Sequence, residues 1–75
     1  MSRLPRVTAR KMLYVLQRGG FLVERVRGSH FYLRHEVDDS RRTVISLHPG
    51  DLPYGTLLSI LKQAKISRDE FTKLL

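Results

Sequence analysis

Residues 21–35 read FLVERVRGSHFYLRH, and this stretch decides the fold. Its two halves, residues 21–27 and 30–35, are rich in the β-branched and aromatic residues that favour strands. Between them stand Gly28 and Ser29, a two-residue segment of the kind that closes a tight hairpin. The stretch therefore predicts two antiparallel strands joined by a turn at these two residues.

The second strand of this hairpin has two chemically different faces. Because side chains alternate along a strand, Phe31 and Leu33 fall on one face. His30, Tyr32 and Arg34 fall on the other face. We expect the apolar pair to join the core and the polar set to remain exposed.

Further helix and strand patterns surround the hairpin. Thr8 is placed to cap a first helix, which Gly19-Gly20 ends, and residues 43–47 predict a third strand. A second helix begins near residues 54–56, and Ser67-Arg68-Asp69-Glu70 is a capping box for a short third helix. The two apolar stripes at helical spacing consist of Ala9, Met12, Leu13 and Leu16, and of Leu57, Ile60, Leu61 and Ala64.

These elements predict an α+β fold of order α-β-β-β-α with a short C-terminal helix. The helices must cover the apolar face of a three-stranded antiparallel sheet, so we expect them on one face only. This order matches the double-stranded-RNA-binding architecture, although a fold alone assigns no function. Since 75 residues leave room for one compact domain, we expect residues 1–75 to form a single domain.

The charge of the chain is concentrated in its N-terminal part. There are 14 Lys and Arg against seven Asp and Glu, a formal net charge of +7. Eight of the bases but only one acid precede Glu36, and the remaining six bases are balanced by six acids. A basic region of this kind is the usual electrostatic footprint of nucleic-acid binding, and the alternative is a merely solvated basic surface.

Several other classes of function are disfavoured. No segment approaches the roughly 20 apolar residues of a membrane span, and residues 1–10 lack the apolar stretch of a signal peptide. The absence of cysteine fits a reducing cytoplasm, so we expect a cytoplasmic protein without a membrane role. A core this small does not easily enclose a cofactor, and we expect none.

Three histidines are the candidates for acid/base chemistry, because imidazole titrates near neutral pH. His30 is favoured, since it follows a turn that allows a phosphate to approach the backbone. His48 is a secondary candidate and His35 a weaker one. The acids of residues 36–39 cluster in one loop, where solvation explains them better than a metal site, so no metal is expected.

The residues around His30 are candidates for RNA contact. Gly28 and Ser29 are expected to form the turn and approach phosphate, and no carboxylate near His30 in sequence supports a nucleophilic role for Ser29. Tyr32 can stack on a base, with an ordinary exposed strand face as the alternative. The cations assigned to the RNA backbone are Arg25, Arg27, Arg34 and Lys11.

These residues together resemble the HicA toxin family, also called YcfA-like, over nearly the whole chain. The markers are Gly20-Phe21, Gly28-Ser29-His30, Arg34-His35, Gly55-Thr56-Leu57 and the segment 60–64, in this order. The chain departs from the family pattern at Ser46, where members commonly have proline, and near Lys65, where they often have glycine.

The resemblance implies a double-stranded-RNA-binding-like fold and ribosome-independent cleavage of mRNA. It also implies a HicB-type antitoxin, which we expect to cover the basic face and His30, the residue onto which the family's catalytic histidine maps. The leading hypothesis is therefore a metal-independent mRNA endoribonuclease. The alternatives are a non-catalytic RNA-binding module and a protein whose basic face binds an acidic partner.

Overall fold

A computed structural model describes residues 4–75, so Arg3 of the basic region lies outside the described residues. The elements are α1 (Ala9–Arg18), β1 (Phe21–Arg27), β2 (His30–His35), β3 (Arg42–Ser46), α2 (Tyr54–Ala64) and α3 (Arg68–Leu74). The three strands form one antiparallel sheet in the order β1-β2-β3. The predicted α+β fold, with its order of helices and strands, is confirmed.

The hairpin has the predicted bounds, whereas the third strand lies one residue earlier than predicted. Residues 43–47 were expected, and the strand runs from Arg42, paired with Arg34, to Ser46, paired with His30. It ends there because the N–H of His48 turns back and donates to the carbonyl of Ser46 at 3.1 Å. The prediction that Leu47 belongs to the strand was therefore wrong.

The apolar core lies between the helices and one face of the sheet. Phe21, Leu33 and Ile45 contribute from the three strands, and all are at most 2% exposed. The helical stripes are buried as predicted, with Leu13 only partly so. Within residues 4–75, no helix is long and apolar enough to span a bilayer. The remaining buried apolar residues are Leu4, Val7, Ala9, Met12, Val15, Leu16, Leu52, Leu57, Ile60, Leu61, Ala64, Ile66 and Phe71.

The helix starts carry the predicted caps. The Thr8 hydroxyl accepts a hydrogen bond from the Lys11 N–H at 3.0 Å, and the Ser67 hydroxyl accepts one from the Glu70 N–H at 3.1 Å. Each bond satisfies an amide that the first turn of a helix leaves unpaired. These caps fix where α1 and α3 begin.

The end of α2 is a Schellman motif with an unusual residue at its centre. The Ile66 N–H donates to the Leu61 carbonyl at 2.9 Å and the Lys65 N–H to the Lys62 carbonyl at 3.2 Å. Lys65 has φ 56° and is the one non-glycine residue in the described part of the chain with positive φ. The resemblance noted from the sequence implies a glycine near this position in many members, and glycine adopts this conformation without strain.

Replacing Lys65 should therefore separate backbone strain from side-chain contacts. Lys65→Gly relieves the left-handed strain and Lys65→Ala does not, while both remove the 2.7 Å bond from Nζ to the Ser40 hydroxyl. We expect the glycine variant to be more stable than the alanine variant by about 1 kcal/mol in free energy of unfolding, measured with denaturant. Equal stability of the two variants would contradict the strain at this position.

Candidate nucleic-acid interface

The helices leave one face of the sheet uncovered, and we call it the open face. It consists of Leu22, Arg25 and Arg27 from β1, His30, Tyr32 and Arg34 from β2, and Arg42, Val44 and Ser46 from β3, which pair across the strands. A β-bulge at Glu24, where the register shifts between Val23 and Arg25, keeps this carboxylate on the same face. Seven of the eight predicted site residues lie on this face or in the turn beside it, and Lys11 is the exception.

The turn beside the open face has the geometry that Gly-Ser predicts. Gly28 has φ 58° and Ser29 does not have positive φ, which is the pattern of a type II′ hairpin turn. A Cβ built on Gly28 would meet no atom within 4 Å, so the turn stands clear of the rest of the protein. The Ser29 carbonyl accepts a 2.8 Å bond from the Leu47 N–H, which ties the turn to the segment that carries His48.

The three histidines have different environments. His30 is exposed, and its imidazole makes no hydrogen bond or ion pair with any residue from 4 to 75. His35 is engaged instead: its Nδ1 accepts bonds from the Val37 and Asp38 N–H groups, each at 3.2 Å, and its ring lies edge-on to Phe21. His35 therefore organises the loop after β2, and His30 is the imidazole presented by the sheet.

Tyr32 and Arg25 form a stacked pair on the open face. The guanidinium carbon of Arg25 lies 4.3 Å from the centroid of the Tyr32 ring, within the range of a cation–π contact. Tyr32 is also half-buried, so its ring is held in place while Arg25 keeps its charge at the surface. Together they form a cationic aromatic platform two residues along β2 from His30.

Arg34 is neutralised by two carboxylates. Its Nε donates to Glu24 Oε1 at 2.9 Å and its Nη1 to Asp39 Oδ1 at 3.0 Å, and these hydrogen bonds, that to Glu24 first, raise the pKa of Arg34. Arg42 lies 3.9 Å from the second oxygen of Glu24. No carboxylate in residues 4–75 pairs with Arg25 or Arg27. The open face is therefore basic at the end near the turn and nearly neutral at the other end.

His48 lies in a loop beside the basic end. It lines a cleft together with Val44 and Ser46 of β3, and Ser46 is the cross-strand partner of His30. It also lines a second cleft, of about 410 Å³, with Thr8 and Arg10 at the start of α1. The loop that carries His48 thus connects the open face to the first helix.

Lys11 does not lie on the open face with the other predicted contact residues. It lies on the exposed side of α1, and α1 packs against the covered face of the sheet. Its Nζ is 5.2 Å from the centroid of the Tyr14 ring. The sequence prediction placed Lys11 with the other RNA contacts but could not assign its face, because that depends on which side of the sheet α1 covers.

Two features of this surface were missed from the sequence. Glu24 and Asp39 pair with Arg34 across a bulge and a loop, and Asp39 had been interpreted as simply solvated. No glycine occurs in residues 21–27 to mark the position of the bulge, so the bulge was not predicted from the sequence. Helical periodicity also predicts a cationic outer side of α1, but of its residues only Lys11 was assigned a role from the sequence. No group of three or more metal-binding side chains occurs within the described residues.

The loop after β2 predicts a measurable titration. The Ser40 hydroxyl and N–H donate to Asp38 Oδ1 at 2.7 and 3.0 Å, and the hydroxyl bond is the largest cause of the lowered pKa of Asp38. A lowered carboxyl pKa contributes stability at neutral pH that is lost as pH falls through the folded pKa. Ser40→Ala should raise the pKa of Asp38 in an NMR titration, and Ser59→Ala on α2 should leave it unchanged. An unaltered Asp38 titration in Ser40→Ala would refute this assignment.

Comparison with known proteins places the chain in a family. No curated protein matches it. A family model described as the HicA toxin of bacterial toxin-antitoxin systems matches residues 9–66, more than half of the chain. The matched region begins with α1 and includes the hairpin, His30, His48 and α2. The chain therefore belongs to the HicA toxin family, and its role is that of the toxin in a toxin-antitoxin system.

Proposed function

We propose that the protein is a metal-independent endoribonuclease that cleaves mRNA without the ribosome, with His30 as its general acid or base. The observation that carries this proposal is the position of His30: an exposed, unengaged imidazole at the end of the open face where Arg25 and Arg27 have no carboxylate partner. Membership of the HicA toxin family supports a toxic activity. Cleavage of mRNA is a chemistry that such a surface can perform.

The proposed reaction needs proton transfer and charge stabilisation. The 2′-oxygen of the RNA attacks phosphorus, the bond from phosphorus to the 5′-oxygen breaks, and a 2′,3′-cyclic phosphate forms. A proton leaves the 2′-hydroxyl and a proton reaches the departing 5′-oxygen, and His30 carries one or both transfers. Arg25 and Arg27 stabilise the charge that develops on the phosphoryl oxygens, as fixed cations do in a partly dehydrated site.

The RNA is held by the surface around this histidine. Gly28 offers an open turn for close approach of a phosphate, and the Ser29 hydroxyl donates to a phosphate oxygen. The Tyr32 ring, fixed by Arg25, receives an unstacked base. Arg34 contributes less charge than the sequence alone suggests, because two carboxylates already occupy its guanidinium. Its predicted RNA contact, and a secondary role of His48, remain part of the proposal.

A HicB-type antitoxin is the proposed protein partner. We place it over the basic end of the open face and His30, because covering both blocks the substrate site and the acid/base group together. The unpaired cations Arg25 and Arg27 offer charge complementarity to an acidic partner. Exposed apolar side chains on the same face, Leu22 at 52% and Val44 at 37%, add surface that such a partner can bury.

One observation favours a second candidate function, a non-catalytic RNA-binding module. No carboxylate within residues 4–75 orients the imidazole of His30, as one does in many acid/base pairs. A histidine in this position can also bind phosphate or a 2′-hydroxyl without transferring a proton. Binding of RNA without cleavage by the purified wild-type protein would select this function.

Removal of the imidazole tests the proposed chemistry. His30→Ala should lower the single-turnover rate of RNA cleavage by about 10²- to 10⁴-fold, the usual contribution of a general acid or base. Because His30 is exposed and its imidazole makes no hydrogen bond or ion pair within residues 4–75, the free energy of unfolding should change little. The measurement is the cleavage rate of a labelled RNA at saturating protein, and undiminished cleavage by His30→Ala would disprove the assignment.

Two controls sharpen this experiment. His35→Ala should destabilise the loop after β2, since its Nδ1 bonds are lost, and it should therefore affect stability more than His30→Ala does. A chelator should leave the wild-type rate unchanged, and the product should carry a 2′,3′-cyclic phosphate. Loss of activity on chelation would contradict the metal-independent mechanism.

The salt dependence of binding tests the two unpaired arginines. Each phosphate contact on single-stranded RNA contributes about 0.7 to the slope of log affinity against log salt concentration. Arg25→Gln and Arg27→Gln should each reduce that slope by about 0.7 in a His30→Ala background, where RNA stays intact. Lys73→Gln, an exposed charge on α3, is the matched control and should leave the slope unchanged. Equal slopes for all three variants would remove these arginines from the interface.

A further inference from the structure

The outer side of α1 is a second basic surface, which we call the α1 strip. At 100° per residue, its members fall within one third of the helix circumference, opposite the buried stripe. All are exposed, and the helix contains no acidic residue. The α1 strip consists of Arg10, Lys11, Tyr14, Gln17 and Arg18.

An aromatic ring lies at the centre of the α1 strip between two cations. The Nζ of Lys11 is 5.2 Å and the guanidinium carbon of Arg18 is 5.6 Å from the centroid of the Tyr14 ring. Arg18 also donates a 3.4 Å hydrogen bond to the Tyr14 hydroxyl. Tyr14 nevertheless remains 50% exposed, so the ring is oriented by its neighbours and still presents surface to solvent.

The cations of the α1 strip are not occupied by carboxylates. Arg10, Lys11 and Arg18 form no ion pair with residues 4–75, in contrast to Arg34 and Arg41, which pair with Asp39 and Glu70. Their charges are therefore available to an anionic partner that lies along the strip.

The α1 strip is continuous with the open face. Arg10, at its first turn, shares the 410 Å³ cleft with His48. His48 in turn shares a cleft with Ser46, whose cross-strand partner is His30. The main chain also joins the two regions, since the Leu52 N–H donates to the Val7 carbonyl at 2.8 Å just before α1. A polyanion bound at His30 can therefore continue past His48 onto α1.

We propose that the α1 strip binds the single-stranded RNA segment adjoining the cleaved bond, with a base stacked on Tyr14 and phosphates held by Lys11 and Arg18. This inference rests on the proposed function, because it extends the same RNA beyond the open face. A cation-flanked, half-exposed ring fits RNA better than it fits an acidic protein, since every base offers a flat face for stacking. The carboxylates of an acidic protein would pair with the cations, but they would not stack on the Tyr14 ring.

The test measures affinity against RNA length in the non-cleaving His30→Ala background, with oligonucleotides of about 4 to 16 nucleotides, the range of single-strand site sizes. Affinity should rise with length until the RNA reaches α1. Tyr14→Ser should weaken binding of the longest RNA on the order of tenfold, whereas Tyr14→Phe should retain it because the ring remains.

The charges are tested separately from the ring. Lys11→Gln with Arg18→Gln should lower the salt slope for the longest RNA by about 1.4, twice the contribution of one phosphate contact. The matched control is Lys62→Gln with Lys73→Gln, which removes two exposed charges from α2 and α3 and should leave the slope unchanged. Circular dichroism of each variant checks that α1 is still formed.

The outcomes separate this proposal from the proposed nuclease function. Equal affinities of Tyr14→Ser and Tyr14→Phe for the longest RNA, or an unchanged salt slope in the Lys11→Gln, Arg18→Gln variant, would overturn RNA binding by the α1 strip. If the charge variant kept its RNA binding but lost its binding to the antitoxin, the occupant of the α1 strip would be an acidic protein, and the proposal would also be overturned. Failure of the wild-type protein to cleave RNA would reject the nuclease function and leave the length-dependent binding result standing.

Discussion

The structure depends on the pairing of β2 on both of its edges. Its residues bond to β1 and to β3, so the alternation of its side chains is imposed on the whole sheet. Leu33 is buried on one face while His30 and Tyr32 are presented on the other. A slip of one residue would exchange these faces and expose the core, so the register that holds the fold also holds the candidate site.

The positive charge of the open face is uneven because ion pairs place carboxylates beside some of its arginines and not beside others. Glu24, displaced onto the open face by the bulge, pairs with Arg34, and Asp39 approaches the same guanidinium from the loop. Exposed ion pairs of this kind contribute little to stability. Their larger effect is on the electrostatic potential of the open face, which they leave most positive near Arg27 and His30. An anionic strand drawn to this end would meet the imidazole.

The sequence predicted those parts that local rules determine. The bounds of β1 and β2 agree with the structure because Gly28 permits the positive φ that the turn requires and the strands alternate clearly. The end of β3 depends on a turn between Ser46 and His48, and the pairing of Arg34 depends on a bulge and a loop. The periodicity of apolar residues indicates neither. The sequence ranked His30 above His35 because His30 follows the Gly28-Ser29 turn. The structure adds a physical difference, since the Nδ1 of His35 accepts hydrogen bonds from two backbone amides.

Because the candidate site is small and shallow, its side chains would be ordered mainly by the bound substrate. His30 has no internal partner that fixes its ring, and the cations nearest to it lie at an exposed surface. An RNA strand that stacks on Tyr32 and is held along its backbone would place a phosphate beside the imidazole and exclude water from it. In the proposed reaction, contacts remote from the cleaved bond would therefore affect the chemistry itself. A protein of 75 residues can position an RNA strand in this way by spreading the contacts over its surface rather than enclosing the strand.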